Sequence, residues 1–379
     1  MRKIRKISQK SSRVGRSALK ITYSRRRRVN RGRTAQKQSA RPLAHRSTPA
    51  YNLTRMEQRA VKAGFIAASV KDRDLLSSEH MQESLKAWYR DNMNLSGGTT
   101  VSSVLALSLA YRRGYALASR IPNLGIALPL QGTASAVVSV SNEEQTLPAV
   151  LAELRKLPLQ EIIVVLNGCT DGSFAVIERD PRMSLISFPT RLGHDVSRAL
   201  GSAVATGDII LFSDGDMSLL AKDLAAFLIA VDLGVDMALN NLTPFLPSMF
   251  SAQDDVTRCK TFLNRALGRS DLRANSMTAV PHALSRRAIS TIGTSALIVP
   301  PKAQALALVR GLKVSAPHSV NVFRTNRIRS GNTGEGNAVA GLIFGDHMEA
   351  LAEVMKSEGV RLRHITFSRS TLAKVRNAR

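Results

Sequence analysis

At 379 residues, 44% of them hydrophobic, the chain is long enough to bury a large core, as one large domain with an appendage or as two domains. Its 54 Lys and Arg against 28 Asp and Glu leave a net charge of +26; residues 1–46 hold 17 of the basic residues and no acid, so the remaining 333 residues carry only +9. Two cysteines, Cys169 and Cys259, are too few for a disulfide framework and lack partners at zinc-ligand spacing.

The first 50 residues, rich in Ser, Gln and Arg and poor in large apolar groups, read as a basic disordered tail. No continuous apolar stretch follows the charges, which argues against a secretory leader. A solvated arm is one use of such a tail. Anionic lipid, nucleic acid or an anionic polymer are partners the same charge would serve, although a single Tyr leaves no aromatic interleaving for base stacking. From 51 to 130 apolar residues recur at helical intervals (Met56, Ala60, Val61; Leu85, Trp88, Tyr89; Leu105, Leu109, Tyr115), which predicts about three helices. The most apolar stretch, 101–130, is interrupted by Arg112, Arg113 and Arg120, so no transmembrane segment is expected. The expected location is cytoplasmic, with peripheral attachment at the inner membrane surface as one role for the tail.

At 136 the pattern changes. AVVSV reads as a strand, TLPAVLAELRKL as a helix with Leu147, Leu151, Leu154 and Leu157 on one face, and EIIVVL as a second strand. DGSFAVIER then reads as a short helix, SLISF as a strand, HDVSRALGSAVATG as a helix closed by Gly207, DIILFS as a fourth strand and LLAKDLAAFLIAVDLG as a fourth helix. This alternation predicts an α/β fold, a mostly parallel sheet with helices on both faces, whose ligands bind beyond the carboxyl ends of the strands. Polar clusters fall at those ends: Ser141 to Glu144, Asn167 to Asp171, and Ser213 to Asp216. A fourth, Arg191 to Asp195, opens a helix whose free amides favour an anion. Asp214 and Asp216, two apart on an extended segment, project together, and Gly215 between them permits close approach to the backbone. Two such anions repel by roughly 4 kcal/mol at about 4 Å and an effective dielectric near 20, so a cation is expected beside them.

Taken in order, SVSNEEQTL, EIIVVLNGCTDGS, the RLGHD to ATGDIILF stretch and SDGDM resemble the nucleotide-sugar-binding half of family 2 glycosyltransferases of the GT-A fold. The resemblance implies a Rossmann-like GT-A domain over 134–350, with a donor-binding half at 134–235 and an acceptor half at 236–350, followed by a C-terminal helix and basic tail at 351–379. It implies a sugar moved from a UDP- or GDP-type donor to a hydroxyl acceptor. Glu143 and Asn167 would contact ribose and base, and the turn from Gly193 to Arg198 would lie near the phosphates. Ser141, Arg191, Asp214 and Gly215 would complete the nucleotide-sugar site. Asp214 and Asp216 would be the DXD pair, with Asp216 on Mn²⁺ or Mg²⁺, which answers the expectation of a cation.

The chain departs from the family where many members carry an acid pair after the second strand: here Leu166 and Asn167 stand there. ANSMTAVPHALSRRAISTIG resembles the acceptor-side loop and helix, but the acidic base expected after it is missing. The next acid pair with a suitable setting is in GLIFGDHMEAL, Asp346 and Glu349 around His347, making Asp346 the candidate base and His347 a candidate further metal ligand. Plainer readings stand beside these. Asp214 and Asp216 would serve as a loop cap, Glu143 and Glu144 as first-turn charges, Asp171 as a helix cap, His194 and Arg198 as exposed residues one turn apart, and Asp346 to Glu349 as the acidic opening of the last helix. SGNTGEGNAVAG, 330–341, reads as a lid. Two other functions compete: a non-catalytic GT-A-fold protein holding an anionic polymer through its tail, and a sugar-phosphate nucleotidyltransferase. The second is disfavoured because SNEEQTL replaces the Gly-rich, Arg-ending loop of those enzymes.

Overall fold

The computed structural model describes residues 53–93, 98–178, 180–324, 338–362 and 369–377. The tail expected over 1–50, and residues 330–337 of the expected lid, lie outside them. Three helices come first, α1 (Arg55–Ser69), α2 (Ser78–Asn92) and α3 (Val101–Ser119). Each starts at a side-chain oxygen that satisfies free backbone amides: Thr54 with Glu57 in a capping box, Ser77 on His80, and Thr100 on Ser103. Among the described residues no helix is long and apolar enough to cross a membrane.

The sheet has seven strands: β1 (Ala134–Val140), β2 (Glu161–Asn167), β3 (Met183–Phe188), β4 (Ile209–Asp214), β5 (Met237–Asn240), β6 (His282–Ser285) and β7 (Val314–His318), in spatial order β3-β2-β1-β4-β6-β5-β7. All neighbours are parallel except β6, which runs antiparallel to both β4 and β5. The helices connecting them include α4 (Leu147–Leu154), α5 (Val196–Val204), α6 (Ala221–Asp232), α7 (Asp255–Ala266), α8 (Arg286–Ile292) and α9 (Pro300–Val309). The central strands alternate between two cores. Val138, Val164 and Leu211 join the core that holds α4, α6 and the three leading helices, whereas Val137, Val165 and Phe212 join the one holding α5, α8 and α9. Strands buried on both faces read as continuous apolar runs, which is why β1, β2 and β4 were plain in the sequence.

Three elements differ from expectation. DGSFAVIER forms only a single 3₁₀ turn, Gly172–Phe174, because the Asp171 carboxylate caps Ser173 at once and the chain then turns back to β3. The helix expected to close at Gly207 ends at Val204, with Ala205 already extended; Gly207 instead lies against β1, where its amide donates to Ser135 Oγ at 2.9 Å. The last long helix, α10 (Ala338–Glu358), takes in residues 338–341 of the expected lid and runs unbroken through 350, followed by α11 (Arg369–Asn377). Asp346 to Glu349 therefore sit inside a helix and not at its acidic opening.

His282, at the register position opposite Phe212, is fully buried and stacked on that ring with centroids 5.1 Å apart. Its Nδ1 donates to Ala279 O at 3.0 Å. Burial, reinforced by the charge of Arg198, pushes its pKa down to about 3. The unfolded chain takes up this proton near pH 6.5 and the folded chain does not. The stability His282 contributes is thus fully present above 6.5 and is lost at up to about 1.4 kcal/mol per pH unit as pH falls toward 3. Denaturant midpoints measured from pH 4 to 8 should show this slope, and His282→Phe should flatten it.

Candidate active site

The loops after β1, β2 and β4 are fastened to one another by short polar side chains. Asn142, in the left-handed region at φ 62°, accepts from Thr170 N at 2.7 Å through Oδ1. Glu144 Oε2 accepts from Gly172 N at 2.8 Å, and Ser173 Oγ accepts from Glu143 N at 2.8 Å. Asp171 stands behind this knot. Partial burial pushes its carboxyl up, but hydrogen bonds from Ser173 and from the Glu144 amide outweigh that and hold it low. The Asp-Gly-Asp turn is pinned from two sides: Thr146 Oγ1 donates to Gly215 O at 2.8 Å, and Gly215 N donates to Ser139 O at 2.8 Å. A Cβ on Gly215 would come 3.0 Å from Val140 Cγ2, so the turn lies close against the end of β1.

Asn167 takes a different task from the one expected. Its amide nitrogen donates to Gly193 O at 2.7 Å and its oxygen accepts from Leu192 N at 2.8 Å, so both ends hold the 191–193 turn while the side chain still lines the cleft. Gly168 makes the fit possible: at φ 64° a side chain there would put Cβ 2.6 Å from Arg191 N. Arg198 is likewise not an exposed arm. It is 4% exposed, bonded to Asp195 Oδ1 at 2.8 Å and to Met277 O at 3.3 Å, and stands 3.6 Å from Asp214 Oδ2. Part of the cation expected beside the acid pair is thus supplied by the chain itself.

Ser141, Glu143, Asn167, Arg191, Gly193, His194, Arg198, Asp214 and Asp216 line one cleft at the carboxyl ends of β1, β2 and β4. Burial pushes the Asp214 carboxyl up; Arg198 opposes this, and the charges of Asp216 and Asp195 add to it. Two carboxylates side by side in a cleft form a hard oxygen donor pair suited to a divalent ion that takes its other ligands from phosphate and water. His347 does not join them. It is 2% exposed, with Nδ1 donating to Ile343 O at 2.6 Å within its own helix, and burial lowers its pKa to about 4. Among the described residues no group of three His, Cys, Asp or Glu encloses an ion.

Arg191, His194, Asp214 and Asp216 are shared with a second cavity of about 510 Å³, walled by Leu242, Leu246, Lys260, Thr278, Val322 and Ile343 among others. Asp346 lies on α10, a helix that also contributes Ile343 to this wall. It is partly buried, and its pKa is pushed up to about 6 by that burial and then by the charges of Asp195 and Glu349. Lys260, on α7, went unnoticed in the sequence; the visible signal is that Thr257, Lys260, Thr261 and Arg265 recur at helical spacing as a polar face.

A family model described as Glycosyl transferase family 2 matches residues 135–245. No curated protein matches the chain significantly. Solved structures that resemble it include glucosyl-3-phosphoglycerate synthase from Mycobacterium tuberculosis with Mn²⁺, UDP and phosphoglyceric acid (17% identity, 58% of this chain and 78% of that one, TM-score 0.42). The same enzyme with phosphoglyceric acid gives 16% identity, 68% and 86% coverage and a TM-score of 0.45. A further mycobacterial protein gives 17%, 69% and 81%, and 0.42. With β1, β2 and β4 delivering their loops to one cleft inside the matched segment, the chain carries a glycosyl transferase family 2 domain.

Proposed function

We propose that the protein transfers a sugar from a nucleoside-diphosphate donor to a hydroxyl acceptor with the help of a divalent cation. The observation that carries this reading is the single cleft that gathers Ser141, Glu143, Arg191, Arg198, Asp214 and Asp216 from three separate segments within a family 2 domain. Asp216, with Asp214 beside it, would hold the Mn²⁺ or Mg²⁺ whose charge offsets that of the departing diphosphate. The exposed Arg191 and His194 would meet a phosphate, while the charge of Arg198 favours the ionised form of Asp214 against its burial. Asn167 and Gly168 set the position of the 191–193 turn, and Thr146 that of the Asp-Gly-Asp turn.

A thermal-shift panel tests the reading. UDP, the nucleotide named for the neighbours above, and GDP are each added with and without Mn²⁺. Saturation at about a hundred times Kd adds about 2.7 kcal/mol to the folded state, so one nucleotide should raise the melting temperature by several degrees only when metal is present. No shift with any nucleotide and metal would defeat it.

For the acceptor proton we propose Asp346; its seat on α10, the helix that contributes Ile343 to the wall of the second cavity, and its charge coupling to Asp195 and His194 support the choice. A base works as its carboxylate, so activity should fall as pH drops through about 6. Asp346→Asn should lower transfer by about 10²–10⁴ with nucleotide affinity unchanged. Wild-type turnover in that variant would remove the residue from the chemistry.

A further inference from the structure

We infer that the acceptor is an anion whose phosphate or carboxylate group is received by Lys260 in the second cavity and whose remainder lies along α7 toward Arg265 and Arg273. The inference deepens the transferase reading and rests on it for the word acceptor; the anion subsite stands on its own residues.

Lys260 lines the cavity that Asp214 and Asp216 also line, and its ammonium makes no hydrogen bond or ion pair among the described residues. The acid that influences it most, Asp254, is engaged instead at the start of α7, where it accepts from Thr257 N and from Thr257 Oγ1, both at 2.8 Å. Holding a cation partly out of water is costly, and burial pushes this amine down to about 8 against the opposing charge of Asp254, which lines the same cavity. Thr278 Oγ1, in the same wall, is buried and finds no partner among the described residues. The carboxylates of Asp214, Asp216 and Asp254 also line this cavity; within it Lys260 and Thr278 Oγ1, a charged donor and a hydroxyl without hydrogen-bond partners among the described residues, form a receptacle for an oxyanion.

The cavity continues past Leu246 and Ala274, which it shares with a second hollow of about 470 Å³. Arg265 and Arg273 line that hollow, and no acid is among its described lining residues. Thr257, Thr261 and Arg265 stand four residues apart with Lys260 three after Thr257, so one face of α7 runs from the shared cavity into the basic hollow. An acceptor reaching the acid pair by this route passes Arg273 and Arg265 and then Lys260, with Asp254 also in the wall of the shared cavity.

The test is calorimetric titration of the full chain, saturated with UDP and Mn²⁺ to cover the donor-side arginines, with inorganic phosphate and separately with acetate. Phosphate, acetate or both should bind, and Lys260→Gln should weaken that binding about tenfold or more while leaving UDP affinity unchanged. Binding of phosphate alone assigns the group as phosphate, and of acetate as carboxylate. As a reading that needs no variant, phosphate should slow acylation of Lys260 by an N-hydroxysuccinimide ester, followed by peptide mass spectrometry. Equal anion affinity in wild type and Lys260→Gln, or no anion binding and no protection, overturns the inference. If UDP with Mn²⁺ fails to bind, the donor reading falls separately, and the anion titration still judges Lys260.

Discussion

Asp216→Ala is expected to abolish metal-dependent nucleotide binding, by about a hundredfold or more, in a protein that remains fully folded. The two halves of that expectation come from one arrangement. Asp216 lies in the cleft beside Asp214, and its charge is among the influences that push the Asp214 carboxyl up. Removing it leaves a single carboxylate, already partly neutralised by Arg198, where a hard divalent ion needs protein oxygens as well as phosphate. The same removal relieves like-charge repulsion, so the melting temperature should hold or rise. Calorimetry with UDP or GDP and Mn²⁺, paired with a melting curve, checks both. Unchanged affinity would sink the assignment of the acid pair; a collapsed melting curve would show that Asp216 is structural.

Arg198→Met should instead strike stability and binding together. The guanidinium is 4% exposed and holds Asp195, Asp214 and the Met277 carbonyl, and a methionine of similar length leaves those acids facing each other without a counter-charge. Breaking a buried pair from one side costs about 3–5 kcal/mol; because Asp214 is partly exposed, the lower end is expected. For a domain of this size about 3 kcal/mol lowers the melting temperature by roughly 6–12 °C. Arg198→Lys keeps the charge but not the fork and should recover part of it. A melting curve of Arg198→Met that overlays wild type would mean that the acids find compensation elsewhere.

The parallel half of the sheet was legible because its strands are buried on both faces, and a strand such as EIIVVL then announces itself without any partner in view. The acid pair was legible for a similar local reason, since period-two spacing puts both carboxylates on one side. Arg198 was not. Its burial depends on Asp214 at the end of another strand and on Met277 in the loop before β6, and nothing local distinguishes it from an exposed arginine at a helix start. The structural task of Asn167 was hidden in the same way: nothing local shows that the 191–193 turn folds over it and bonds to both ends of its amide. Lys260 lies on a helix whose amphipathic face is unremarkable until the far side of the cleft is known. Asp346 and His347 looked like the acidic start of a helix because α10 extends two turns earlier than its charge pattern suggests.

The leading helices share their core with one face of the sheet. Ala60, Leu85, Tyr111 and Tyr115 belong to the same apolar cluster as Val138, Val164, Leu211 and Phe227. A fragment begun at residue 134 to isolate the transferase would therefore carry a raw hydrophobic flank into solution, and should precipitate or self-associate where one begun near 53 does not. In this protein the stretch with no chemistry of its own works as the lining of the stretch that has it.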